Sequence, residues 1–278
     1  MNLQDIKVSE CNPFRDNPFK VRDDLAMDML IQSIKENGVM YPILVRPQVG
    51  IGYEIISGHR RVYACKVLGI ETIPAYVKQM NRDEAVIRMV DSNLQRDKLL
   101  PSEKAFAYKM KIEALNHQGK TSVQHGQKFS RTLVAEDAGE SATTIQRYVR
   151  LTNLVKPLLD LVDDGKISLT PAVELSYLTE EEQLIVHETY QTDEVSPSLS
   201  QAQHMRRLSS EGKLTDDDIL NILSQVKGNQ REFIKIPTDR YERYLGSFHT
   251  PKEKVDFIMK ALDHYVKYLE RHRSDDAR

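Results

Sequence analysis

The 278-residue chain holds no apolar run near the ~18 residues that a membrane span requires. Its opening stretch, MNLQDIKVSECNPF, has no apolar core of the kind a secretory signal carries, which predicts a cytoplasmic protein. Cysteine is scarce: Cys11 and Cys65 stand in no paired spacing, so a reducing compartment and no disulfide framework are expected. None of the eight histidines pairs with another His, Cys, Asp or Glu at a metal-ligand spacing. No nucleophile–base pairing points to covalent catalysis. Internal repeats and low-complexity tracts are absent as well. An excess of positive charge is also missing: the net charge of −2 argues against a protein that coats nucleic acid through bulk charge. Any nucleic-acid contact would have to come from local patches and groove readout.

What is there suits a packed protein. Hydrophobic residues make up 40% and charged residues 29%, and the length allows two or three domains of ~100–200 residues each. Leu25, Met29, Ile31 and Ile34 recur near helical spacing between Asp24 and Asn37, and Gly38 follows where a C-terminal cap wants positive φ. Residues 42–46 and 53–57 are β-rich runs around a Gly50/Gly52 turn and predict a hairpin. A helix from His59 to Leu68 closed by Gly69, and a strand from Ile73 to Val77, complete a compact α+β domain. Helices are expected over Asn81–Asn93 and from Pro101 to Ala114, the latter opening with proline at its first position and an acid in its first turn. Asn116–Ser130 is polar without apolar periodicity and predicts a flexible loop. Helices resume at Arg131, a Ser/Pro break falls at 192–200, and two short helical stretches follow it. Val255, Ile258, Leu262, Tyr265 and Leu269 then make a 3,4 stripe on a final helix, which either dimerises or docks on its own chain.

Two stretches carry chemistry. RTLVAEDAGESATTIQRYVRL, residues 131–151, places Ala135 where two helices would cross, Gly139 at the turn and Ile145 as an anchor, with Val134 and Val149 adding core. The second helix would present Ser141, Thr143, Gln146, Arg147 and Arg150, side chains able to bond base edges and phosphates in a major groove. The bland alternative is a helical hairpin with a solvated face. The second stretch, Ser57-Gly58-His59-Arg60-Arg61, lies at a strand-to-helix junction. There glycine admits a close ligand, free N–H groups favour an anion, and two arginines add charge-assisted bonds to phosphate. Lys20 and Arg22 before the first helix, and Ser92, Asn93 and Arg96 at the end of the third, could converge on the same polyphosphate. The alternative is a set of surface ion pairs, each worth little.

These stretches also carry a resemblance. YEIISGHRRVYACKVLGIETIPAYV is similar to the G-E-R-R box of ParB proteins, and DSNLQRDKLLPSEKAFAY to their E-N-x-Q-R box and following helix. GESATTIQRYVRL resembles the family's second DNA-binding helix, and NPFKVRDD…SIKENGVMYPILVRP its first box; the likeness spans about residues 6–180, in order. It implies a CTP- and Mg²⁺-binding ParB/sulfiredoxin-like domain at 1–98 and a helical DNA-binding domain at 99–190 with its helix-turn-helix at 131–151. A C-terminal helical region at 191–278 would follow. Lys20 and Arg22 would reach the phosphates, Gly58, Arg60 and Arg61 would cradle them, Asn93 would sit by the metal, and Arg96 would tie the domain to the next helix. His59 stands where the family has glutamate and is expected as a helix-start residue or phosphate donor; Ser92 replaces a second glutamate. Losing two carboxylates weakens Mg²⁺ binding and predicts slow CTP turnover.

The resemblance further implies a nucleoid- or plasmid-associated homodimer that binds a palindromic, centromere-like site and works with a Walker-type partition ATPase. Two other readings stay open. The N-terminal fold also resembles sulfiredoxins and free-serine kinases, which would make a small-molecule phosphotransferase. A plain transcriptional repressor would keep the DNA-binding half and bind no nucleotide.

Overall fold

The computed structural model describes residues 2–96, 99–118, 123–224, 242, 244–245 and 250–275. The chain forms two compact units, 1–225 and 226–278. The first unit opens with β1 (Asn2–Lys7), a single 3₁₀ turn and β2 (Cys11–Asn12), and continues through α1 (Leu25–Asn37), β3 (Ile43–Gln48), β4 (Gly52–Ser57), α2 (His59–Leu68) and β5 (Thr72–Val77). The strands form one sheet in the order β1-β5-β3-β4-β2. β3 and β4 are the expected antiparallel hairpin, β5 runs parallel to β3, and β2 runs parallel to β4.

The edge strands β1 and β2 carry no sequence signal. Of the six β1 residues only Ile6 is buried, so the strand shows no alternation, and β2 is two residues long. α1 forms where expected, its first turn capped by Asp24, whose carboxylate accepts the Met27 N–H at 2.9 Å. Its buried face is shifted in phase from the expected one. Met27 is fully buried beside Ile34, whereas Leu25 and Met29 are 75% and 67% exposed. Met27, Leu30, Ile31 and Ile34 give the true i, i+3, i+4, i+7 face, and Leu30, Ile31 and Ile34 lie in the core with Ile43, Val45 and Cys65.

Helices then take over: α3 (Arg82–Leu94), α4 (Pro101–His117), α5 (Val123–Ala138), α6 (Ala142–Arg150), α7 (Lys156–Asp163), α8 (Leu169–Leu175), α9 (Glu180–Asp193), α10 (Leu199–Ser210) and α11 (Asp216–Ser224). The loop expected over 116–130 is largely helix, since α4 runs to His117 and α5 starts at Val123; residues 119–122 lie outside the described set. Polar sequence hid α5 because its anchorage is tertiary. Val134 and Ala135 near its far end pack with Tyr108 and Ile145, and Ser130 donates to Asn116 at 2.8 Å. Reciprocal caps at Thr179/Glu182 and Ser198/Gln201 set where α9 and α10 begin, on either side of the break at 192–200. Ala202, Met205, Ile219 and Leu223 share one core with Leu151, Leu158, Leu175 and Val186, so residues 199–224 complete the same bundle as α7–α9. The second unit contains α12 (Pro251–Asp275), opened by a reciprocal Thr250/Glu253 cap.

Candidate functional site

The β4–α2 junction places the first candidate site. Gly58 has φ 107°, and a Cβ there would meet the Ile43 side chain at 2.5 Å, so only glycine lets the chain turn from strand into helix against β3. Gly58 offers no side chain to cap α2, and among the described residues none other does so, which leaves the first-turn N–H groups of α2 free of a cap. His59 Nε2 accepts the Phe14 N–H at 3.3 Å, so this ring nitrogen acts as an acceptor and any proton it could donate sits on Nδ1. Among the described residues Arg60 meets only the exposed Asp24 carboxylate, at 3.4 Å, and its buried Nε has no hydrogen-bond partner there. Arg61 is engaged inward, donating to the carbonyls of Tyr41 and Pro42 and so holding the entry to β3.

Arg96, two residues beyond α3, faces the same corner. Burial and the neighbouring Arg60 charge push Arg96 below the usual guanidinium range, against an opposing pull from Glu103. Burial and Arg96 likewise push His59 down to about 4, with Glu54 acting the other way. Arg60 and Arg96 thus meet at this helix N-terminus and repel one another, and the His59 ring beside them is kept neutral. Lys20 and Arg22 reach this region through Glu103 of α4. The Glu103 carboxylate accepts the Lys20 N–H at 3.0 Å, the Arg22 guanidinium at 3.4 Å and the Leu100 N–H at 3.0 Å. Both basic side chains remain exposed. Asn93 is buried and donates to the Met89 carbonyl at 2.8 Å and to Ser92 at 3.3 Å, while Ser92 itself donates to Met89.

The metal expectation fits these residues poorly. Among the described residues no group of three or more His, Cys, Asp or Glu could hold a metal ion. The nearest carboxylate in sequence, Asp91, is tied at 2.5 Å to Lys111. Of the residues assigned to the metal side, Asn93 offers an amide oxygen and Ser92 a hydroxyl, without the carboxylate that Mg²⁺ usually takes from a protein.

The second candidate site is the α5–α6 hairpin. Gly139 turns the chain at φ 66°, Ser141 caps α6 by accepting the Thr144 N–H at 3.0 Å, and Ile145 is fully buried with Val134 and Ala135. Tyr108 of α4 meets Tyr148 edge-on at 5.8 Å between ring centres. Ser141, Thr143, Gln146 and Arg147 are exposed, and Gln146 accepts from Arg131 at 3.1 Å. Arg150 is turned toward α8, where it donates to Ser176. Thr143, Gln146, Arg147 and Arg150 line a groove of about 640 Å³ together with Lys109 of α4 and Arg206 of α10.

Sequence reasoning missed two groups that hold these sites. Glu103 is buried and ties the Lys20–Arg22 segment to α4; its place three residues after the Leu100 cap was the available signal. Lys111 is buried and bridges Asp91 of α3 and Asp137 of α5, at separations that no local motif reveals.

The architecture defines a class: a mixed α/β domain with a glycine-started basic helix, followed by a helical bundle containing a helix–turn–helix hairpin. Residues 1–94 match the family model of the ParB N-terminal domain, and the chain is similar to nucleoid occlusion and chromosome-partitioning proteins. It is 29% identical to a nucleoid occlusion protein of Halalkalibacterium halodurans over 93% of this chain and 82% of that one. It is 34% identical to the chromosome-partitioning protein Spo0J of Thermus thermophilus over 61% of this chain and 59% of the relative. Among solved structures, ParB of Caulobacter crescentus, C-terminally truncated and complexed to the centromeric parS site, covers 79% of this chain and 98% of its own, at 18% identity and a TM-score of 0.43. The same protein complexed with CTP-gamma-S covers 68% of this chain and 98% of its own, at 22% identity and a TM-score of 0.33.

Proposed function

We propose that this chain is a dimeric, site-specific DNA-binding partition protein, nucleoid- or plasmid-associated, whose N-terminal domain (1–98) binds CTP and gates DNA binding by the helical domain (99–190). The observation that carries the nucleotide half is the meeting of Arg60 and Arg96, beside the neutral His59, at the start of α2, with the Arg60 Nε buried and without a hydrogen-bond partner among the described residues. A triphosphate would relieve the mutual repulsion and supply the missing acceptor. The choice of CTP rests on the family resemblance, as do the palindromic, centromere-like site, the Walker-type ATPase and the C-terminal dimer region expected over 191–278, of which residues 199–224 pack into the helical bundle instead. With no carboxylate at positions 92 or 59, a Mg²⁺ ion would be held chiefly by the nucleotide's own phosphates, with Asn93 offering an amide oxygen. The DNA half rests on the α5–α6 geometry and the exposed Ser141, Thr143, Gln146 and Arg147.

Binding of labelled CTP, ATP, GTP and UTP to the full chain tests the reading, with and without Mg²⁺ and a duplex selected from a random library. CTP should bind in preference to the other three. Arg60→Ala should weaken it tenfold or more, since a charge-assisted bond is worth about 1.5–3 kcal/mol, and should leave DNA selection intact. Arg61→Ala should weaken CTP and also lower stability, because it frees the Tyr41 and Pro42 carbonyls. No nucleotide binding beside intact DNA selection would leave the plain repressor. Phosphate transfer to a small hydroxyl compound without DNA selection would leave the phosphotransferase.

A further inference from the structure

The α6 face assigned to groove readout is not uniform. Thr143, Gln146 and Arg147 are exposed, and Arg147 makes no hydrogen bond or ion pair among the described residues. Arg150, one turn further on, is half-buried and spoken for. Its Nε donates to the Ser176 hydroxyl at 3.1 Å and its terminal N–H to the Ser176 carbonyl at 2.8 Å. Its guanidinium also lies 3.9 Å from the ring centre of Tyr177. The same ring takes a second guanidinium, Arg206 of α10, at 3.7 Å, and Arg206 is itself held by Glu174 of α8 at 2.8 Å. The end of α8 therefore fastens the last turn of α6 on one side and α10 on the other.

A guanidinium fixed by a forked pair of hydrogen bonds and a ring stack has little freedom left. Turning it to a base edge would break both bonds and strand the buried Ser176 acceptors, a cost comparable to what one base contact returns. α6 is only nine residues long, too short to hold its own direction, so its angle is set by its anchors. Ile145 fixes the middle of the helix, and Arg150 fixes the end that would swing. A shift there moves Thr143, Gln146 and Arg147 together.

We propose that Arg150, locked by Tyr177 and Arg206, is a positioning residue that sets the angle of α6, and that base readout falls to Thr143, Gln146 and Arg147. The proposal rests on the nucleic-acid reading given above. It predicts a signature that a DNA-contacting arginine does not give. On a duplex selected from a randomised library by the wild-type chain, Arg150→Ala should weaken binding tenfold or more and reduce discrimination at every position of the half-site. Its salt slope should not change, because no phosphate contact is lost. Tyr177→Leu should reproduce this, the double variant should be no worse than either single one, and Tyr177→Phe should bind as wild type. Arg150→Lys should fail to restore binding, since an ammonium lacks the fork. Circular dichroism establishes that each variant is folded. Should Tyr177→Leu unfold, Arg206→Gln, which loosens the ring from the α10 side, should show the same broad loss more weakly. Relaxation at a single base pair by Arg150→Ala would overturn the proposal. So would a salt slope lowered by ~0.9 while Tyr177→Leu is silent. A wild-type chain that enriches no duplex would overturn the nucleic-acid reading, and this proposal with it.

Discussion

His59 stands where a helix start, the Phe14 amide and the Arg96 charge meet, and burial there favours the neutral ring. Its pKa in the folded protein, about 4, is below the ordinary 6.5, so between those values the unfolded chain binds a proton that the native chain refuses. The His59 contribution to stability is therefore fully present above pH 6.5 and is lost as pH falls toward 4. Urea unfolding midpoints measured from pH 7 to pH 4.5 should fall more steeply for wild type than for His59→Gln, which has no titrating group there. Equal slopes would show that the ring is solvated. At this scale the sequence was only partly legible. Arg60 and Arg61 look alike in the string, yet one has an unpartnered buried nitrogen and the other ties down two carbonyls. Likewise, spacing placed a helix correctly at α1 but chose Leu25 and Met29 over Met27, because several faces of that helix carry apolar residues and only the sheet decides which is covered.

Among elements, the junction of α3, α4 and α5 turns on Lys111, 1% exposed, with Asp91 at 2.5 Å and Asp137 at 2.6 Å. The two carboxylates are half-exposed, so water can serve them if the lysine is lost, whereas the ammonium has no such recourse. Asp91→Asn combined with Asp137→Asn should thus cost about 3–5 kcal/mol, the typical loss when a buried charge is left unpaired. Lys111→Met, which keeps the volume and removes the charge, should cost clearly less. Urea denaturation of the two variants checks the order, and a reversed order would mean that the ammonium is hydrated in solution. Since α3 carries Ser92 and Asn93 and α5 opens the helix–turn–helix hairpin, this triad is the polar joint between the two candidate sites. Nothing in the spacing of 91, 111 and 137 announces it, because the pairing exists only once three helices are packed.

For the whole molecule, the division into 1–225 and 226–278 sets the body that carries both sites apart from the unit that carries α12. Val255, Leu262, Tyr265 and Leu269 are all exposed along that helix, an apolar stripe of the kind that a second copy would cover. A chain ending at Thr250 should keep the thermal midpoint of the first unit, show half the solution mass by light scattering, and bind a two-half-site duplex more weakly than the full chain. An unchanged mass would show that α12 holds no second copy. The match covers 261 residues and 82% of the Halalkalibacterium halodurans protein, but 173 residues and 59% of the Thermus thermophilus one.

The sequence by itself determined the elements whose signals are local. The β3–β4 hairpin around its glycines, α2 between Gly58 and Gly69, the proline-started α4, and Gly139 with Ile145 in the hairpin all follow from turn chemistry and short-range periodicity. Ordered short boxes were enough to reveal the likeness to ParB proteins as well, since each is a contiguous string. Only the tertiary structure decided which charges are free and which are spent. Glu103 on Lys20 and Arg22, Lys111 on two aspartates, and Arg150 on Ser176 and Tyr177 all join residues 20 or more positions apart. The physical reason is that a charged side chain's role depends on its partner and its burial, and both are set by the packing of distant segments.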